Sequence, residues 1–155
     1  MAIAYVEVNA SNVGTWKQPI HDFASALDIG QRCNAAAVAK ARWDRTYPSL
    51  VAIQEFVDKH ALVVVAHDAG AVRGYLVCVD DDKWGGCQAK WIGAGGVPPA
   101  QLPGIFAAMG NIAVAQYGWL WGRVSNATVR NIMITAIEGC EISGSDPEIV
   151  TYWKP

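Results

Sequence analysis

The sequence predicts an α/β domain of the α+β kind, built on a mixed, mostly antiparallel sheet with one parallel strand pair. Three observations carry this. Apolar, β-branched runs at Ala61–His67 and Val72–Val79 flank a short Asp68-Ala69-Gly70 turn and lead to a third run at Cys87–Ala94, which makes an antiparallel meander. A proline-rich loop and a helix then separate Cys87–Ala94 from a tryptophan-rich run at Trp119–Val124. Strands joined by a crossover helix pair in parallel, with a right-handed connection. Finally, Glu141–Ser143 and Glu148–Trp153, with a turn at Gly144–Pro147, read as a closing hairpin.

From the N-terminus, Ile3–Val8 alternates weakly and reads as the first strand, and Asn9–Gly14 is turn-like. Trp16–Trp43 reads as helix in two pieces. The first has a short apolar face of Phe23, Ala26 and Leu27; Gly30 interrupts, and Ala35–Ala41 is a small-residue helix. Pro48 opens another helix, with Leu50, Ile53, Phe56 and Val57 on its buried stripe. The aspartates Asp80, Asp81 and Asp82 read as a solvated turn, because no further acidic residue follows at the spacing of a calcium loop.

Gly93–Gly104 is the loop on which function turns. Pro98, Pro99 and Pro103 punctuate it, and Pro103 suits a first helical turn, where a missing N–H costs nothing. That helix runs to about Tyr117, with Ile105, Met109, Ile112 and Gln116 on one stripe, Phe106, Ala113 and Tyr117 beside it, and Gly118 as its stop. Trp119 and Trp121 share a strand face by alternation. Asn126 caps a last helix, in which Val129, Ile132, Met133, Ala136 and Ile137 follow helical spacing and Gly139 closes it. This stripe is expected against the sheet; its exposure would instead mark a homodimer interface. Ligands of strand–helix–strand units sit beyond the carboxyl end of the first strand, here near Gly95, Gly96 and Gln101–Ile105.

Composition narrows the function classes. A chain of 155 residues, 52% hydrophobic and 17% charged, suits one folded domain spanning 1–155. A formal net charge of -2 gives no electrostatic case for nucleic acid. Cys33, Cys78, Cys87 and Cys140 make no zinc spacing and read as free thiols of a reducing cytoplasm. The N-terminus lacks the pattern of a signal peptide, and no apolar run approaches the roughly 20 residues of a membrane span. His21-Asp22, His60 and His67-Asp68 read as surface or structural groups. Gly93-Ala94-Gly95-Gly96 lacks the third glycine of a dinucleotide fingerprint, and a meander precedes it. Trp16, Trp43 and Trp84 lie outside apolar stripes; exposed, they would hint at a partner surface.

The order strand, helices, meander, helix, strand, helix, hairpin resembles the GNAT acyltransferase superfamily over nearly the whole chain. In that family a Q/R-x-x-G-x-G/A loop follows the fourth strand and its backbone N–H groups hold the pyrophosphate of acyl-coenzyme A. Gln101-Leu102-Pro103-Gly104-Ile105-Phe106 matches at Gln101 and Gly104, and Phe106 replaces the last small residue. Asn126, just after the fifth strand, and Gly139, near the end of the next helix, look like two further family positions. The resemblance implies helices on both faces of the sheet and a parallel pair that splays apart. It implies an N-acyltransferase moving an acyl group from acetyl-coenzyme A, or another acyl-coenzyme A, to a small-molecule or protein amine. Ile92, Gly93, Ala94 and Gly95 would align the pantetheine arm; Gln101, Gly104 and Ile105 would form the phosphate loop; Asn126 would contact the acyl or pantetheine end.

The departures have physical consequences. The loop prolines donate nothing, and the loop lacks Lys and Arg, so coenzyme A binding is expected to be micromolar or poorer. Phe106 either turns into the core beside Met109 or projects into the cleft and blocks the phosphate position. Met133 or Thr135 falls where many members carry an acidic tyrosine, and Gln88 and Lys90 stand on the strand that often carries a glutamate base. The amine's proton would pass to water, or to an acid such as Glu7 or Asp44. The alternative is a non-catalytic protein of this fold, from a virus or mobile element, whose cofactor cleft has closed.

Overall fold

The computed structural model describes residues 2–27, 47–80, 86–123, 131–132, 140–143 and 150–153. Its sheet has seven strands: β1 (Ala4–Glu7), β2 (Val63–Asp68), β3 (Ala71–Asp80), β4 (Cys87–Ala94), β5 (Leu120–Arg123), β6 (Cys140–Ser143) and β7 (Val150–Trp153). They lie in the order β1-β2-β3-β4-β5-β7-β6. All neighbours are antiparallel except β4 and β5. The helices are α1 (Val13–Ala26), α2 (Leu50–Asp58) and α3 (Leu102–Tyr117), the last preceded by a 3-10 turn at Pro99–Gln101.

Strand alternation builds two cores, one on each face. Val63 and Val65 of β2, with Tyr75 and Val77 of β3, face α1 and α2 and pack with Ile20, Ala24, Ile53 and Val57. Leu62, Val64, Ala66, Leu76 and Cys78 point the other way, onto Ile105, Phe106, Met109 and Ala113 of α3. Helices therefore cover both faces, and the residues between them read as continuous apolar runs because each neighbour is buried on an opposite side.

Local signals explain the element ends. Ser49 caps α2, its hydroxyl accepting from the Ala52 N–H at 3.1 Å. The β2–β3 hairpin turns on Ala69 and Gly70 at φ 48 and 91, the left-handed pair that a two-residue hairpin loop requires. Gly118, at φ 86, stops α3 with its N–H on the Val114 carbonyl.

Several expectations need correction. Residues 9–12 form an Asn9–Asn12 turn, but Val13 and Gly14 already belong to α1. The buried face of α1 is Val13, Ile20 and Ala24, with Phe23 and Leu27 partly buried beside it and Ala26 exposed. That face lies around Pro19, which the sequence reading left out of the helical stripe. In α3 the buried set is Ile105, Phe106, Met109, Gly110, Ala113 and Val114, with Gln116 exposed. The stripe is rotated because α3 lies against four strands, β2, β3, β4 and β5, and glycine and alanine at 110 and 113 are buried on that side. Trp16 is half-buried and stacks on His67 at 4.8 Å. Ile132 packs on the α3-side core, as expected. Gly30, Ala35–Ala41, Cys33, Trp43, Asp44, Trp84, Asn126, Val129, Met133, Thr135, Ala136, Ile137 and Gly139 lie outside the described residues.

Candidate functional site

The parallel pair opens into a cleft, and its opening can be traced residue by residue. Strand β5 pairs with β4 only at Cys87↔Leu120, Gln88↔Trp121 and Ala89↔Gly122. On the other side β4 pairs with β3 along its whole length, but Lys90 has no partner: Cys78 faces Ala89 and Val77 faces Trp91. Lys90 is thus a β-bulge, and it is the first residue beyond the last β4–β5 pair. A bulge bends and twists its strand, and this one falls where the described β4–β5 pairing ends.

Beyond the bulge the pairing fixes which backbone groups face the opening. The Gly95 N–H donates to the Arg73 carbonyl at 2.9 Å, so Ala94 and Gly74 form a non-hydrogen-bonded pair. Ile92 and Leu76 form the next one by alternation. The N–H and C=O groups of Ile92 and Ala94 therefore point away from β3, to the β5 side. Those of Gly93 point to β3, as does the Gly95 N–H. Of the four expected strand contacts, Ile92 and Ala94 turn their peptide groups to the β5 side. Gly93 instead serves packing: a Cβ there would stand 2.7 Å from Leu27 Cδ1 and 3.0 Å from the buried Tyr75 ring.

The loop and the start of α3 border the cleft's open end. Gly104 is exposed, and a Cβ built on it meets nothing within 4 Å. Gln101 is half-buried; its side chain makes no cap bond, and its Oε1 is buried without a partner. Ile105 is a core side chain. So is Phe106, only 1% exposed and packed in the same cluster as Met109. The ring does not stand in the cleft, which removes the occlusion that the sequence left open. The backbone donors are few, as expected: Pro98, Pro99 and Pro103 have none, the Gln101 N–H donates to Pro98 O and the Leu102 N–H to Pro99 O.

One residue of this region escaped the sequence reading. Arg73 sits at the start of β3, where the β2–β3 register shifts between Ala66 and His67, so that it is itself unpaired. Its guanidinium lies over Gly96 of the loop: a Cβ on Gly96 would be 2.7 Å from Arg73 Nη1. Its Nε is buried without a hydrogen bond. The available signal was a lone charge in the apolar run Ala71-Val72-Arg73-Gly74-Tyr75-Leu76-Val77.

The groups with shifted titration lie elsewhere. The hydrogen bond with Cys87, with burial, pushes the Cys78 thiol well up; both cysteines stand at the closed end of the pair. Burial raises Tyr117, at the far end of α3, and Tyr5, on the edge strand β1. Glu7 shares the row Glu7-Val64-Leu76-Ile92 but is three interstrand spacings, about 14 Å, from β4, too far to serve as the base there. Histidines are engaged in structure: His21 Nδ1 bonds Pro48 O at 2.9 Å, and His67 Nδ1 accepts from the Gly70 N–H at 3.0 Å. Among the described residues no group of acidic, histidine or cysteine side chains could hold a metal ion.

No protein-family model matches the sequence, and no curated protein matches it either. Solved structures do match. An N-acetyltransferase from Staphylococcus aureus Mu50 superposes with a TM-score of 0.68 at 9% identity, covering 99% of this chain and 98% of that one. The chain has the GNAT acetyltransferase fold. PaiA N-acetyltransferase from Thermoplasma acidophilum, solved with coenzyme A, covers 100% of both chains at a TM-score of 0.65 and 8% identity. Diaminobutyrate acetyltransferase from Paenibacillus lautus, solved with L-2,4-diaminobutyric acid and coenzyme A, gives 0.59 at 14% identity over 99% of this chain and 95% of that one. Among the described residues of this GNAT-fold chain, no helix is long and apolar enough to cross a membrane.

Proposed function

We propose that the protein is an N-acyltransferase that takes an acyl group from acetyl-coenzyme A, or another acyl-coenzyme A, and delivers it to an amine on a small molecule or protein. The observation that carries this reading is the outer edge of β4. Ile92 and Ala94 turn their N–H and C=O groups to the β5 side of β4, beyond the last of the described β4–β5 pairs. A pantetheine arm is an extended chain with two amides, and it can add to such an edge as a strand would. The residues present fit it: among the described residues no strand pairs with β4 beyond Ala89 on that side, and a Cβ on Gly104 at the α3 N-terminus meets nothing within 4 Å.

In this reaction an amide bond forms between the acyl carbon and the acceptor nitrogen, the thioester C–S bond breaks, and the nitrogen's proton ends on the departing thiol. This chain's part is alignment. An N–H from Ile92 or Ala94 fixes the arm, and Asn126 is assigned the acyl or pantetheine end by the resemblance. The acceptor amine gives its first proton to water or to an acid such as Asp44, which lies outside the described residues; where water takes it, the rate should climb as pH rises toward the amine's own pKa.

The reading in which the cleft is closed rested on Phe106 and the loop prolines, and the Phe106 ring is in the core. Calorimetric titration with coenzyme A separates the two. A dissociation constant near micromolar, about -8 kcal/mol, is the expected result, with a rise of about 2.7 kcal/mol in stability at a hundredfold excess over that constant. No heat and no rise at millimolar ligand would end the proposal.

Gly104→Ala tests the loop. The added methyl meets nothing in the protein, and alanine in a helix is favoured over glycine by roughly 1 kcal/mol. The variant should therefore melt slightly higher and yet bind coenzyme A more weakly. Unchanged affinity would show that the ligand does not pass over this glycine.

A further inference from the structure

We propose that Arg73 is the charged anchor for a phosphate of the bound ligand, taking over the role of the N–H donors that the loop prolines have removed. The inference rests on the acyl-coenzyme A reading for the identity of that ligand, but not for the existence of the anion site.

Four observations converge on it. The guanidinium is placed deliberately: the register shift in β3 makes Arg73 the extra residue, and the Gly95 N–H on its carbonyl ties it to the first residue of the loop. Gly96 lacks the Cβ that would collide with Nη1, and its φ of 69 is one that side chains rarely adopt, so the arginine head rests directly on the loop backbone. No hydrogen bond reaches the buried Nε, and among the described residues no acidic side chain pairs with the guanidinium. Donors of a cation left unpaired in a partly buried place are unfavourable unless an anion completes them. Last, the loop beside it has fewer backbone donors to offer an anion, since Pro98, Pro99 and Pro103 lack N–H groups and those of Gln101 and Leu102 are engaged.

The neighbouring Gln101 fits the same picture. Its Oε1 is buried and unpartnered at the start of α3, where it can accept from an amide N–H or a hydroxyl of the same ligand. A planar guanidinium suits a phosphate better than a lysine would, because it offers paired donors in a fixed fork.

The test uses the whole chain and four probes: inorganic pyrophosphate, coenzyme A, dephospho-coenzyme A and pantetheine. Thermal shift and calorimetry are run on the wild type, Arg73→Gln and Arg73→Lys. Arg73→Gln should weaken coenzyme A and dephospho-coenzyme A by about 10- to 100-fold, as loss of charged hydrogen bonds implies, and leave pantetheine unchanged. Pyrophosphate should stabilise the wild type and not the glutamine variant, with Arg73→Lys between them. Without ligand, Arg73→Gln should melt no lower than the wild type, since it removes an unpaired buried cation.

Equal affinity for coenzyme A in wild type and Arg73→Gln would overturn the proposal. So would an equal loss for pantetheine, or a wild type that pyrophosphate does not stabilise. If pyrophosphate acts through Arg73 but no coenzyme A derivative binds, the anion site stands and the acyl-transfer reading falls.

Discussion

Phe106→Ala should lower the unfolding free energy by about 3–5 kcal/mol and leave coenzyme A affinity unchanged. The ring is 1% exposed and lies among Met109, Ala113, Leu76 and their neighbours on the α3 side of the sheet. Truncation removes its buried area and leaves a cavity that two flanking elements, a helix and a strand, cannot both close. Denaturant melts would show it as a lower midpoint with an unchanged slope. The opposite pattern, intact stability with tighter coenzyme A binding, would mean that the ring stands in the cleft after all.

Gly86→Ala should cost roughly 2–5 kcal/mol, from a left-handed backbone and a collision together. Gly86 has φ 66, and a Cβ on it would lie 2.6 Å from the carbonyl oxygen and the indole of Trp119. That same carbonyl accepts the Cys87 N–H at 3.0 Å, the bond that begins the β4–β5 pair. The methyl therefore pushes on the hinge of the cleft. Gly70→Ala is the control: its φ is 91, but nothing lies within 4 Å, so only the backbone cost of about 1–2 kcal/mol applies. Equal losses at the two sites would show that the Trp119 contact is not rigid.

The sequence was legible where local chemistry decides. Strand β4 runs over Cys87–Ala94 as its apolar character and flanking glycines require, and Gly118 and the Asp68-Ala69-Gly70 turn end elements where expected. The parallel pair followed from connection length alone, and its neighbours share the fold of known acetyltransferases. What depends on packing was not legible. The rotation of α3 that buries Phe106 is set by four strands from elsewhere in the chain. The face of α1 read from Phe23, Ala26 and Leu27 differs from the buried one at Val13, Ile20 and Ala24, which is set by contact with the sheet and α2. A search for cations inside the loop could not find Arg73, because a register shift in a strand more than twenty residues earlier carries it there. Which peptide groups of β4 face the cleft needs the pairing register, which no single strand reveals.

The unpaired Lys90 has an evolutionary reading. Its side chain is exposed, so many residue types can stand there without touching the core. Its presence as one extra link in β4, by contrast, marks the point where the described pairing with β5 ends. Remove that link and every other residue of the strand keeps its face and its edge, while the reason for the bend is gone and the two strands are free to zip past Ala89. In a lineage of this protein the cleft would thus be guarded by the count of residues in β4 and not by their kinds: tolerant of point substitution at this position, intolerant of a one-codon deletion.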